Sequence, residues 1–331
     1  MRDNESTPEI EAAAVQPAEE LHHEPGAWAR LWAIRYARIP ILICALFFLF
    51  AVGAECYAVY CHRTGTTPIY QVQNPELRNH APMKGHILGT DYLGRDVLLR
   101  AVFATRTAVK VGIVASLISS VVGVALGLIG GYYGGKTDAV VLWIYSTFAS
   151  IPSLLFILAF ALLVSKGFLS APLEAAFQAF SRAMNTEPGM MAVYLGIGLT
   201  GWVQLCRVVR AETLRLKTRP YVTAARSLGV NDRGILLRHI LPNLMHLVIV
   251  YFTMRFASAV MTEVIVSYLG LGVKFEPSWG LMISNGQSLF WRGAWWEIAA
   301  ATGFMFVLVL ALNMTGDALR DALDPRHTSG K

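Results

Sequence analysis

Residues 111–135, VGIVASLISSVVGVALGLIGGYYGG, contain no Asp, Glu, Lys or Arg. A helix needs roughly 18 to 20 apolar residues to cross about 30 Å of hydrocarbon, and this block is longer than that. Residues 139–165, 188–206 and 298–316 are also free of charge. Residues 39–54 form a shorter block that continues to Tyr60 through one acid, Glu55, and 244–273 is broken only by Arg255 and Glu263. Over the whole chain 55% of residues are hydrophobic and 15% are charged, against about a quarter charged in a soluble domain. A soluble core of this size cannot hide so much apolar surface. The sequence predicts an all-α polytopic membrane protein with about six transmembrane helices.

The net charge of +6 reads as orientation, because the basic residues lie beside the spans and are not interleaved with aromatics as in a nucleic-acid surface. Between the fourth and fifth blocks stand Arg207, Arg210, Arg215, Lys217, Arg219, Arg226, Arg233 and Arg238 against only Glu212 and Asp232. That loop is therefore expected in the cytoplasm. Arg30, Arg35 and Arg38 before the first span place the N-terminus there, and six spans bring the C-terminus to the same side. Segment 62–110, expected on the outer side, carries seven basic residues. Long loops weigh less in the rule, and 97–110 reads as an amphipathic interfacial helix.

The expected layout is an acidic disordered cytoplasmic tail (1–29), a first transmembrane helix (30–62), an extracytoplasmic segment with the interfacial helix (63–110), and a five-helix core (111–326). That core holds a cytoplasmic loop at 207–243. Trp28, Trp32, Trp291, Trp295 and Trp296 suit the headgroup layer at span ends. Cys44, Cys56, Cys61 and Cys206 form no CxxC pair, so neither a disulfide framework nor a metal site is expected.

Residues 130–137, GGYYGGKT, satisfy the phosphate-loop pattern GxxxxGK[ST]. Such a loop works after a buried strand, at the start of a helix that aims N–H groups and a lysine at phosphates. Here the pattern follows an apolar helix and precedes another span. It is read as a tight cytoplasmic turn, with no nucleotide bound by this chain.

The loop at 220–243, PYVTAARSLGVNDRGILLRHILPN, is the most informative polar stretch. Pro220 suits the first position of a helix, and Gly229 suits the left-handed residue past its end. Asn231 or Asp232 can cap a second helix near Arg233, and Pro242 marks where the fifth span begins. The expected product is a helix–turn–helix whose Ala224 and Ala225 offer a small-residue surface to another protein.

This segment resembles the EAA loop of ABC-importer permeases. Ala224-Ala225, Gly229 and Leu241-Pro242 fall at the corresponding spacing, while Thr223 stands where that pattern has Glu and His239 where it has Ile. The ending His239-Ile240-Leu241-Pro242-Asn243, the run GTDYLGRD at 89–96, PSWG at 277–280 and GDALRDALDP at 316–325 are similar to the dipeptide/oligopeptide/nickel branch, its second (C-type) permease in particular. The resemblance implies a multi-pass protein of the bacterial inner membrane that imports short peptides. Nickel chelates, glutathione-like peptides and antimicrobial peptides are the alternative cargoes. It also implies a second permease, two ATP-binding subunits that hold ATP and Mg, and an extracytoplasmic binding protein. On this chain it points to Tyr221, Ala224, Ala225, Arg226, Gly229, Asp232, His239 and Pro242 as the ATPase-coupling loop, with no catalytic residue.

Charges inside spans are usually functional. Arg255 and Glu263 are candidates for the substrate path, with Glu263 the better placed to sense a substrate amine. They lie about 12 Å apart along a helix and roughly 80° round it, too far to pair. A membrane enzyme would need paired carboxylates, HExxH or a Ser/His set at membrane depth, and none is present. An ion-driven carrier would favour repeated broken helices with acids at the midplane and leaves the capped basic loop unexplained.

Overall fold

A computed structural model describes residues 31–32, 34–272 and 276–323. The acidic tail at 1–29 and the ending from Asp324 onward lie outside the described residues. Five helices are long and apolar enough to cross a membrane: Arg35–Thr64, Val97–Tyr133, Pro188–Leu216, Asp232–Tyr268 and Trp296–Leu323. A bent pair, Gly135–Ser150 and Ser153–Val164, makes a sixth span when counted together. The expected polytopic all-α fold is what the chain adopts.

Helix α1 (Arg38–Thr64) stops at Gly65, whose left-handed φ of 68° closes the C-cap. Its start meets the far end of the chain, where the Tyr36 hydroxyl donates to Asp321 at 2.6 Å. Helix α2 (Val97–Tyr133) spans 37 residues, and the Asp96 carboxylate caps it by accepting from the Leu99 N–H. Residues 97–110 are thus not a separate interfacial helix but the first turns of the same helix as 111–133, and Arg100, Ala101, Ala104, Arg106 and Ala108 are buried there.

The charges that made 97–110 look amphipathic are neutralised from neighbouring elements. Arg106 pairs with Glu55 of α1 and, at 3.2 Å, with Glu276. Lys110 reaches Glu55 at 2.7 Å, and both cations donate to the Asn185 carbonyl. Buried charges are tolerated where they are paired and costly where they are not. Glu276 itself lies outside the spans; burial pushes its carboxyl up, and Arg106 and Lys110 pull it back. Nearby, burial pushes the Tyr70 phenol up to about 12.

The uncharged block 139–165 is divided between two helices, α3 (Gly135–Ser150) and α4 (Ser153–Ser165). They meet at a bend of 87°, and Pro152 is the cause. Proline has no N–H and disfavours the helical region for the residue before it, and Ile151 is extended at φ −87°, ψ 125°. Helix α5 (Ala171–Ala183) follows, and then α6 (Pro188–Thr200) runs with a break at Gly201 into α7 (Trp202–Leu216). Arg207, Arg210 and Arg215, expected in a loop, are helical residues of α7. After the short α8 (Pro220–Ser227) comes α9 (Asp232–Tyr268), then α10 (Trp279–Phe290) and α11 (Trp296–Leu323).

Helix α2 is the centre of the bundle, packed on α1, α6, α7, α9 and α11. Its small residues permit this close approach. A Cβ on Gly123 would lie 2.9 Å from the Trp202 carbonyl oxygen, one on Gly127 2.8 Å from Val209 Cβ, and one on Gly131 2.7 Å from the Arg210 carbonyl oxygen. Such small-residue rows are the membrane's substitute for hydrophobic sorting. Large apolar side chains such as Leu49, Val121, Trp143 and Leu155 point outward, as lipid requires, and Trp291 and Trp295 are exposed at a span end.

Candidate functional site

The loop before α9 folds nearly as its turn residues dictate. Pro220 opens α8 at N1, and Gly229 takes φ 80° past its end. The Val230 N–H reaches back to the Ala225 carbonyl at 3.1 Å, and the Gly229 N–H to Arg226 at 3.0 Å. This is the pair of bonds of a Schellman cap. Asn231 then caps α9, its side-chain oxygen accepting from the Gly234 N–H at 2.8 Å. Residues Ile235–Ile240 form a π-helical turn. That widened turn precedes Pro242, whose ring nitrogen has no proton to give the helix ladder.

Ala224 and Ala225 do not form one surface. Ala225 is buried, and on the same face Val222 packs with Ile235, Leu236 and Ile240 against Leu128, Val209 and Leu216, whereas Ala224 faces outward. The exposed face of α8 therefore carries Tyr221, Ala224 and Leu228, the last 84% exposed. His239 is half-buried, and its carbonyl accepts from the Asn243 side chain at 2.6 Å.

The loop is fastened to the end of α2 by a residue outside the sequence-derived set. Tyr132 donates its hydroxyl proton to Asp232 at 2.6 Å, accepts from Arg226 at 3.2 Å, and lies under the Arg226 guanidinium. Lys217 donates to the last carbonyls of α2, Gly131 at 2.8 Å and Tyr132 at 3.3 Å. Arg210 holds Asp138 through both carboxylate oxygens, with a 2.6 Å contact from Nη2. The GGYYGGKT segment is thus the end of one helix and the start of another, with no strand before it. Gly131 accommodates α7, and Lys136 is exposed.

A polar cavity of about 490 Å³ lies deeper in the bundle. Ser153 and Ile157 of α4, Gly201 and Gln204 at the α6–α7 break, and Arg255 and Thr262 of α9 line it. Arg255 Nη2 donates to the Ile197 carbonyl at 3.1 Å. Gly201 makes room for it, because a Cβ there would sit 2.2 Å from Arg255 Nε.

Glu263 does not line this cavity. It is buried and accepts from Ser267 at 2.6 Å and Ser278 at 2.9 Å. The PSWG turn is further pinned by Thr107 donating to the Pro277 carbonyl and Trp279 to the Ala101 carbonyl, both at 2.9 Å. Glu263 therefore ties α9 to the turn before α10, away from the cavity that Arg255 borders.

The GTDYLGRD run is a folding device as well. Asp91 gathers the Leu93 and Arg95 N–H groups at 2.9 Å and the Arg95 side chain at 2.7 Å. Trp296 of α11 donates to the Thr90 carbonyl at 2.9 Å.

A multi-pass helical bundle with a polar cavity and a capped helical loop fastened to its end is the build of a membrane transport component. The chain belongs to the family of binding-protein-dependent transport system inner membrane components, whose family model matches residues 123–329. It is similar to the oligopeptide transport system permease protein of Bacillus subtilis, 31% identical over 301 residues covering 91% of this chain and 88% of that one. The oligopeptide transport system permease protein of Escherichia coli K12 is 36% identical over 244 residues, 73% of each chain. The glutathione transport system permease protein of Pectobacterium atrosepticum is 31% identical over 304 residues, 91% and 92% of the two chains. The chain is a multi-pass permease of the inner membrane, of a kind that depends on a substrate-binding protein.

Proposed function

We propose that this permease forms the translocation path for short peptides together with a second, different permease, and that α8 is where an ATP-binding subunit docks. The observation that carries this reading is the two-faced α8. Its inner face is merged with α2, α7 and α9, while Tyr221, Ala224 and Leu228 are exposed. A force applied to that outer face is delivered to three spans at once. The basic loop, both termini and the docking surface then lie in the cytoplasm, and two ATP-binding chains supply ATP and Mg. An extracytoplasmic binding protein delivers the cargo. The oligopeptide, dipeptide and glutathione relatives support peptide cargo.

The test is co-purification from native membranes. Ala224→Trp enlarges the exposed face without entering the core, so the chain is expected to insert normally yet lose the ATP-binding subunits and peptide uptake. Full retention of both would remove α8 as the docking site.

A further inference from the structure

A cation held within the fold needs a counter-charge, and Arg106, Lys110 and Arg210 each face a carboxylate. Arg255 is different. Among the described residues no carboxylate pairs with it, its one side-chain hydrogen bond goes to the Ile197 carbonyl, and its Nε has no partner. A guanidinium has five N–H donors in a planar fork, so most of its capacity is unused. It borders the 490 Å³ cavity, and no Asp or Glu lines that space.

A second cavity of about 370 Å³ shares Ser153, Thr200, Val203 and Gln204 with the first and reaches Arg207, again with no acid in its wall. Arg207 lies over the Tyr145 ring, 4.9 Å from its centroid. Two cations thus border adjacent cavities supplied with hydroxyls and an amide but no anion. The helix break at Gly201 leaves the Arg255 fork unobstructed by any side chain at that position.

We propose that Arg255 holds the free carboxylate of the peptide in transit, with Arg207 at the adjacent cavity. This deepens the peptide-permease reading and rests on it. A carboxylate accepts two parallel N–H bonds from an arginine, and one planar group on a fixed helix position selects for that terminus whatever the peptide's side chains. Such a site suits a path that must pass many sequences.

The assembled transporter in native membranes provides the test, with Ser258→Cys on the cavity wall in a Cys56→Ser background. The remaining cysteines, Cys44, Cys61 and Cys206, are buried. We expect millimolar triglycine to slow labelling of that thiol, and triglycinamide to do so about tenfold less effectively, the loss of a charge-assisted hydrogen-bonded pair. Arg255→Gln abolishes the difference between the two peptides, and Arg255→Lys restores part of it. Equal protection by both peptides, or a preference that survives Arg255→Gln, overturns the proposal. So does labelling that neither peptide slows, as when a carboxylate of the second permease already occupies the guanidinium. ATP-dependent uptake of triglycine, measured in the same membranes, reports separately on the importer reading: uptake can fail while the labelling preference stands, and the reverse.

Discussion

The Tyr132 hydroxyl donates to Asp232 at 2.6 Å, joining the last turn of α2 to the first residue of α9 across the base of the loop that carries α8. Arg226 of the same loop donates to that oxygen, so one phenol gathers two loop residues onto one span. Tyr132→Phe removes the hydroxyl and keeps the ring. A hydrogen bond of this kind contributes about 0.5–1.5 kcal/mol, so the chain should stay folded. We expect less peptide transported per ATP hydrolysed, by roughly threefold to tenfold. An unchanged ratio would mean that α2 is not driven through this contact.

Gly131 admits the backbone of α7, with a Cβ there placed 2.7 Å from the Arg210 carbonyl. Overpacking of this kind costs about 1–3 kcal/mol. Gly131→Val is expected to lower the thermal midpoint of the purified chain in detergent, and Gly65→Ala, which meets nothing within 4 Å, to lower it less.

Pro152 accounts for the 87° bend between α3 and α4. Restoring an N–H with Pro152→Ala should widen the bend toward a continuous helix. Spin labels at exposed Trp143 and Leu163 would then move apart. Ser153 and Ile157 would leave the cavity wall, and uptake would fall. Identical label distances would place the cause of the bend in the surrounding packing.

Glu263 serves two buried serine hydroxyls. Glu263→Ala leaves both without their acceptor, a loss of about 1–3 kcal/mol, whereas Glu263→Gln keeps an oxygen in place. Melting temperatures should drop for the first variant and change little for the second, with peptide preference the same in both. A changed preference at unchanged stability would return Glu263 to the path.

The spans were legible because membrane helices announce themselves by uncharged length, and the loop by its punctuation: Pro220, Gly229 and Asn231 act through backbone geometry that needs no tertiary partner. What stayed hidden depends on contacts distant in sequence. Arg106 and Lys110 read as interfacial charges because Glu55 and Glu276, which neutralise them, come from other elements. Ala224 and Ala225 were indistinguishable until the buried face of α8 was set by Ile235 and Val209. Tyr132 was hidden inside a glycine-rich run that matched a phosphate-loop pattern. Its only local signal was an aromatic at the end of a span with a basic loop downstream. Arg255 and Glu263 are both charges in one helix, and only their surroundings, a cavity beside Arg255 and two serines around Glu263, separate them.

At 1.5 Å of rise per residue, the 37 residues of α2 measure about 55 Å, well beyond the roughly 30 Å of hydrocarbon it crosses. One unbroken rod therefore stands clear of the lipid at one end or both, or leans steeply within it. Its neighbours, by contrast, contain a proline elbow, a glycine break and a π turn. A displacement at the Tyr132 end must reappear at the Asp96 end, because α2 has no joint in which to lose it.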